Sequence, residues 1–362
     1  MTRTYRGVPD HAPIALWAVP VAELGGVARH VIDVARHGIR DTRLVVLCPD
    51  GPLAQELGRL GVPVLVEPFG PGAGLLASVR SLRHAVSRLR PAVLHTHLAY
   101  ADIIAALAIP VSWPVRLVST EHGIAAPGQD RVYHSTAWAS RLMATAHALR
   151  CERFDALIAV SEATADAMSA TWHPRRHIEI IPNGVARRPE PARREPGLRF
   201  LSLARLAPEK RIGALLKAFA LLQRDHPGAT LTVAGTGPLE GTLRRETETL
   251  GIETAVTFPG YLDAEEALAR HDVLVQLSVW ENCSYSLLDA VGAGLGVVAT
   301  PVGGNPEILP ERCLVEAEDL RGLARTMLVQ AQDLSARPSL TAWPTLAEMT
   351  EQILTTYRGC FG

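Results

Sequence analysis

The feature that most restricts the fold of this 362-residue chain is an alternation, repeated along almost its whole length, of short β-branched runs with helical periodicity. Such alternation specifies parallel sheets built from βαβ units. In the first half it predicts strands at Ile14–Val21, Leu44–Cys48, Val62–Glu67, Val93–Thr96, Arg116–Thr120, Ala156–Val160 and Ile178–Ile181. Between them, Leu75, Val79, Leu82, Val86 and Leu89 recur at three- and four-residue steps, which predicts one apolar stripe on a helix over 75–90. The segment ARRPEPARREPG at 186–197 then breaks the pattern with charge and three prolines, as an extended linker does. The alternation restarts with strands at Arg199–Leu203, Thr230–Ala234, Val256–Pro259, Val273–Gln276 and Val297–Thr300. Helices are expected to begin near Arg211, Pro238, Asp263 and Ser284. A last amphipathic helix carries Trp343, Leu346, Met349, Ile353 and Tyr357, with Pro344 in its first turn. The expectation is two α/β domains, 1–186 and 197–335, whose sheets face a cleft and bind ligands beyond the carboxyl ends of their strands.

Composition removes several classes of function. A hydrophobic fraction of 48% and a charged fraction of 20% describe a globular chain with sizeable cores. A net charge of −1 provides no global field for nucleic acid or an anionic membrane. The five cysteines are scattered and form no CxxC pair, which argues against a disulfide framework and for a reducing compartment. The amino terminus shows no leader pattern, and the longest apolar stretch, Ile103 to Trp113, contains Pro110 and is too short to span a bilayer. A cytoplasmic protein is expected, at most peripheral to the inner face of the membrane. Arg80, Arg83, His84 and Arg90 face away from the apolar stripe; a solvated helix face is preferred there over contact with anionic lipid. Of 36 basic residues only Lys210 and Lys217 are lysine, so a loop lysine in this chain calls for a reason.

Three stretches of the second half carry chemistry. In LSLARLAPEKRIGALLKAFALL (201–222), Arg205 and Lys210 follow a strand and precede a helix. Two cations at a sheet's carboxyl edge suit a diphosphate. In TVAGTGPLEGTL (232–243), Gly235 and Gly237 let backbone amides approach phosphate, although a tight turn also explains them. The run falls short of GxGxxG and lacks the acidic residue a dinucleotide site requires. In SVWENCSYSLLDAVGAGLGVVATPVGGNPEIL (278–309), Glu281 opens a loop before a helix, and Asp289 follows eight residues later. Carboxylates so placed can accept from sugar or ribose hydroxyls, while amides of Cys283, Ser284, Tyr285 and Ser286 face anionic groups. The competing structural reading is a capping box between Ser286 and Asp289.

In order and spacing these motifs resemble those of the family-4 glycosyltransferases, retaining enzymes of the GT-B fold. The first half agrees through GGVARHV (25–31), VLHTHL (93–98), STEHG (119–123), VSEAT (160–164) and IPNGV (181–185). The resemblance implies two Rossmann-like domains, an acceptor-side one and a nucleotide-sugar-binding one, with the helix at 343–362 crossing back to the first. It implies that Arg205 and Lys210 neutralise the leaving diphosphate. Glu281 and the backbone of Asn282, Cys283 and Ser284 then face the donor sugar. The Tyr285 and Ser286 amides face phosphate, and Asp289 faces the ribose. Gly25 and Gly26 approach the phosphates or acceptor, and His122 a sugar or acceptor hydroxyl. Two positions depart from the family pattern: Asp289 stands for its usual glutamate, and Ala204 for the glycine many members have before the arginine.

No convincing DxD is present, so the donor, with uracil the expected base, is expected to need no metal and the enzyme no cofactor. His95, His97 and His122 stand at strand ends without ligand spacing, and no metal site is expected from them. Adjacent strand residues point oppositely, so either Glu121 or His122 faces the ligand side. The acceptor is left open among glycan, lipid-linked and small-molecule hydroxyls. The alternatives are a nucleotide-sugar epimerase of the same fold, whose carboxylate and histidine pattern is missing, and a degenerate binding subunit, against which Arg205, Lys210 and Glu281 are all present.

Overall fold

The computed structural model describes residues 8–9, 11–124, 147–186 and 195–361. The chain divides into two compact units, one of 1–184 with 344–362 and one of 185–343. Most of the linker segment, 187–194, lies outside the described residues.

The first unit holds seven parallel strands: β1 (Ile14–Ala18), β2 (Arg43–Cys48), β3 (Val64–Val66), β4 (Val93–His97), β5 (Arg116–Glu121), β6 (Ala156–Ala159) and β7 (Ile178–Ile180). Their order across the sheet is β3-β2-β1-β4-β5-β6-β7. Both faces are covered, as a parallel sheet demands. Ala15 and Trp17 pack on one face with Val31, Ile353 and Tyr357, while Leu16 and Ala18 pack on the other with Leu82, Ile104 and Leu157. Two strands are shorter than the sequence suggests. β1 stops at Ala18, just ahead of Pro20, and β3 begins after Pro63, because proline has no N–H for the ladder. On the helix Leu75–Leu89, Leu82 and Val86 are buried and Val79 and Leu89 partly so, but Leu75 is 54% exposed and does not join the stripe.

The last helix, Leu346–Gly359, belongs to this unit. Thr345 caps it in a reciprocal box with Glu348, so Pro344 precedes the cap instead of occupying the first turn. It buries Met349, Ile353, Leu354 and Tyr357 in the first core. The Tyr357 hydroxyl accepts from the Trp17 indole at 2.8 Å and lies 2.7 Å from His95 Nδ1.

The second unit holds five parallel strands: β8 (Arg199–Leu203), β9 (Thr230–Ala234), β10 (Val256–Gly260), β11 (Val273–Gln276) and β12 (Gly296–Ala299), ordered β10-β9-β8-β11-β12. Phe200, Val233, Val275 and Val298 form its core with Leu215 and Phe219 of the helix Ile212–Asp225 and Met327 of the helix Leu320–Gln332. With two doubly wound parallel sheets, this is the GT-B class of α/β architecture. No helix among the described residues is long and apolar enough to cross a membrane.

Candidate active site

In the second unit the strand order reverses between β8 and β11. Helices leaving such neighbours go to opposite faces and open a crevice at the carboxyl edge. Arg205 and Lys210 follow β8 and Glu281 follows β11, so the topology brings these distant segments to one edge. Lys210 ends the 3₁₀ turn Pro208–Lys210, and its Nζ donates to Glu281 Oε1 at 2.5 Å and to Ser278 Oγ at 3.2 Å. Ser278 Oγ donates to the same carboxylate oxygen at 2.7 Å, and Gln276 Nε2 at 2.6 Å. Ser284 Oγ donates to Gln276 Oε1 at 3.0 Å, which orients that amide. Three donors therefore fix Glu281 through Oε1, while no hydrogen bond reaches its Oε2 among the described residues.

Arg205 stands apart from this network. Its side chain is 67% exposed, and its guanidinium lies 2.5 Å from Glu209, four residues on. Gln276 and Ser278 were not singled out in the sequence; the available signal is that glutamine ends an otherwise apolar strand, VLVQ.

The surrounding glycines have steric causes. Gly303 has φ +51°, and a Cβ there would collide with the Glu281 carbonyl, so the VGG turn supports the Glu281 loop from behind. At Gly235, with φ +133°, and at Gly237, a Cβ would strike the carbonyls of Ala204 and Leu206. That pair is accounted for by close packing of the β8 and β9 loops. Ser284 caps the helix Tyr285–Gly292 by accepting from the Leu287 amide at 3.4 Å. The competing reading, a capping box between Ser286 and Asp289, does not hold, because Ser284 is the cap and both residues lie inside the helix; Asp289 is half-buried there.

The first unit has the same kind of reversal, between β1 and β4. Trp17 lies on β1, and Gly25 caps the following helix Gly26–His37. A Cβ added at Gly25 or Gly26 would meet nothing within 4 Å. His30 sits one turn along from Gly26 on the same helix face. His97 ends β4, and His122 follows β5. His97 Nδ1 lies 2.9 Å from His122 Nε2, and His30 Nδ1 lies 3.0 Å from Asn183 Oδ1. The sequence reading grouped His95 with His97 and His122, but the structure puts His30 in that place. His95 is occupied elsewhere: Trp17 N–H donates to the Tyr357 hydroxyl, which lies 2.7 Å from His95 Nδ1, and His95 Nε2 is hydrogen-bonded to Thr120 Oγ1 at 2.7 Å.

Glu121 and His122 take opposite roles. Glu121 is buried, its Oε2 3.6 Å from Arg150, and burial pushes its carboxyl up to about 7. Arg150 also pairs with buried Asp102, which accepts from Thr96 at 2.5 Å and from Ser119 at 2.7 Å. Desolvation lowers the Arg150 guanidinium to about 10. His122 instead joins the imidazole cluster, and burial holds it well below the usual histidine range.

The family model "Glycosyltransferase Family 4" matches residues 24–188, and "Glycosyl transferases group 1" matches 197–333. A glycogen synthase of Mycobacterium tuberculosis is 30% identical over 93% of this chain and 92% of its own length. A GDP-mannose-dependent alpha-(1-6)-phosphatidylinositol monomannoside mannosyltransferase of the same species is 31% identical over 42% of this chain and 46% of its own. Among solved structures, Anabaena Alr3699/HepE in complex with UDP and glucose superposes with a TM-score of 0.79 at 21% identity, covering 96% of this chain and 100% of that one. Sucrose-phosphate synthase from Thermosynechococcus elongatus gives 0.72 at 20% identity, covering 96% and 99%.

The buried imidazoles make the fold acid-sensitive. Desolvation lowers His30 to about 4 and holds His95, His97 and His122 well below 6.5. Because the folded values are depressed, their stabilisation is complete above about pH 6.5 and is lost as pH falls through those values. His30 alone accounts for about 3 kcal/mol by pH 4. Glu121, raised to about 7, runs the other way between 7 and 4.5, offsetting about one imidazole. Urea melts followed by fluorescence should show the midpoint falling steeply from pH 6.5 to 4; a flat profile there would contradict the buried neutral cluster.

Proposed function

The chain belongs to the glycosyltransferase family built from family-4 and group-1 domains, and on that premise we propose that it transfers a sugar from UDP to an acceptor hydroxyl, with retention and without a metal at the diphosphate. The observation that carries this reading is the anchoring of Glu281 through one oxygen by Lys210, Ser278 and Gln276 at the β8/β11 reversal. It leaves Oε2 to accept from a donor-sugar hydroxyl, beside a cation held where leaving-group charge develops. UDP is supported by the UDP and glucose bound to the Anabaena protein. A glycan acceptor is supported by the likeness to glycogen synthase.

Lys210 and Arg205 take the charge that grows on the diphosphate as the bond to the anomeric carbon breaks. The acceptor oxygen bonds to that carbon from the same face, and its proton passes to the departing phosphate oxygen. The backbone of Asn282, Cys283 and Ser284 lies along the sugar. The Ser284 cap takes the Leu287 amide, and the Tyr285 and Ser286 amides face phosphate. Asp289 accepts from the ribose. His122, kept neutral by its surroundings, positions the sugar or acceptor hydroxyl. The open space over Gly25 and Gly26 suits close approach of phosphate or acceptor.

Four outcomes test the proposal. Turnover should persist in EDTA, and Lys210→Ala should cost roughly 2–4 kcal/mol in kcat/KM, as loss of a fixed electrostatic group does; abolition by EDTA with rescue by magnesium would refute metal independence. Proton NMR of the first-formed product should show the donor's anomeric configuration, and an inverted linkage would remove the same-face route. Asp289→Asn should weaken UDP binding by about 1.5–3 kcal/mol with little change in Tm. Unchanged affinity in calorimetry would take the ribose contact away from Asp289.

A further inference from the structure

We propose that His30, His97 and His122 form a binding site for one divalent transition-metal ion of the zinc or cobalt type. All three ligands lie in the first unit. Three elements supply the ligands: the helix after β1, the end of β4, and the residue after β5. One ring nitrogen from each lies within 4.8 Å of the others. The ring centroids are 5.7 Å apart for His30 and His97, 4.9 Å for His30 and His122, and 5.2 Å for His97 and His122. Three imidazoles on a tetrahedral ion, with metal–nitrogen bonds of about 2.0–2.1 Å, place their nitrogens about 3.3 Å apart and their centroids about 5.2 Å apart. The rings already stand close to that arrangement.

The state of the nitrogens points the same way. His30 Nε2 and His97 Nε2 are buried and have no hydrogen-bond partner among the described residues. Buried polar atoms are normally partnered, so two unpartnered nitrogens in one cluster ask for a ligand. Because Asn183 Oδ1 can only accept, His30 Nδ1 carries the proton and the lone pair stands on Nε2. Anchoring the far N–H of a ligand histidine in this way is the usual support for a metal-bound ring. His97 offers either its unpartnered Nε2 or Nδ1, now 2.9 Å from His122 Nε2. Exchange between the two needs only a tautomer shift, with no change of charge. Neighbouring groups do not compete. Both His95 nitrogens are engaged by Tyr357 and Thr120, and Glu121 turns toward Arg150. With imidazole ligands alone, the site suits zinc, cobalt, nickel or copper and discriminates against magnesium, calcium and manganese.

One consequence rests on the role proposed for His122 in transfer: a bound ion withdraws that imidazole from the sugar, so zinc should inhibit and EDTA should restore turnover. Binding itself does not depend on that reading and is measured separately. The untagged 362-residue chain, stripped with EDTA and desalted, is titrated with cobalt(II). The expected result is one equivalent bound, with intense visible bands of low coordination number, no thiolate charge-transfer band from the five free cysteines, and displacement by zinc. His30→Gln and His97→Gln should each weaken binding by about a hundredfold, and exposed His84→Gln should leave it unchanged. Circular dichroism identifies any variant that fails to fold, in which case the stoichiometry and spectrum of the parent protein decide. No stoichiometric binding, a weak octahedral spectrum, a thiolate band, or a folded His30→Gln variant that binds as the parent does would each overturn the site.

Discussion

A parallel sheet in which the strand order reverses leaves one place where two adjacent strands send their following helices to opposite faces. Each unit of this chain has one such place, β1 beside β4 and β8 beside β11; His97 ends β4, Lys210 follows β8 and Glu281 follows β11. This is a consequence of connectivity rather than of any single contact. Right-handed crossovers fill the faces with helices, the strands between them become apolar, and polar side chains collect at the carboxyl edge of the reversal. In the first unit that edge holds four histidines; in the second it holds a lysine, a glutamate and the amide and hydroxyl that orient them.

Gathering polar groups at a buried edge has a cost, and the first unit shows how it is contained. One cation, Arg150, faces two carboxylates, Asp102 and Glu121, in a region almost closed to solvent. Two full negative charges there would leave the cluster unbalanced. Asp102 collects Arg150, Thr96 and Ser119, whereas Glu121 has the longer contact to Arg150 and is raised to about 7 by burial. Near neutrality Glu121 therefore holds a proton part of the time, which brings the cluster toward charge balance. The histidines follow the same logic by staying neutral. Hydrogen bonds link them in a chain from Trp17, a donor that cannot accept, through Tyr357 and His95 to Thr120.

The strand cores were legible in the amino-acid sequence because strands buried on both faces carry unbroken apolar runs, such as LVVLC in β2 and GVVA in β12. Their ends were less so, since Pro20 and Pro63 cut the ladder inside runs that otherwise read as strand. Lys210 stood out as one of two lysines, and Glu281 by its place before a helix. Their pairing was not legible: they are 71 residues apart and meet only because β8 and β11 are neighbours, which depends on strand order. The grouping of His30 with His97 and His122 was hidden for the same reason. Ser284 and Ser286 both precede helical positions, and only the backbone at Ser284, with φ −73° and ψ 112°, identifies it as the cap.

The two cations assigned to the diphosphate are held in different ways, and this bears on how such a site would fill. Lys210 is 24% exposed and engages Glu281 and Ser278, so its position is set before any ligand arrives. An ammonium has three donors, and two of them are used. It can therefore add a phosphate oxygen without surrendering Glu281, and its positive charge also reduces the repulsion between that carboxylate and an incoming anion. Arg205 is a long exposed arm whose partner among the described residues is Glu209, and an exposed pair of this kind contributes about 0–1 kcal/mol. Moving it to a ligand costs little, and its planar fork can engage two oxygens. On the proposed role the two charges would divide the work: Lys210 already fixes the Glu281 carboxylate, and Arg205 would add strength once an anion is in place.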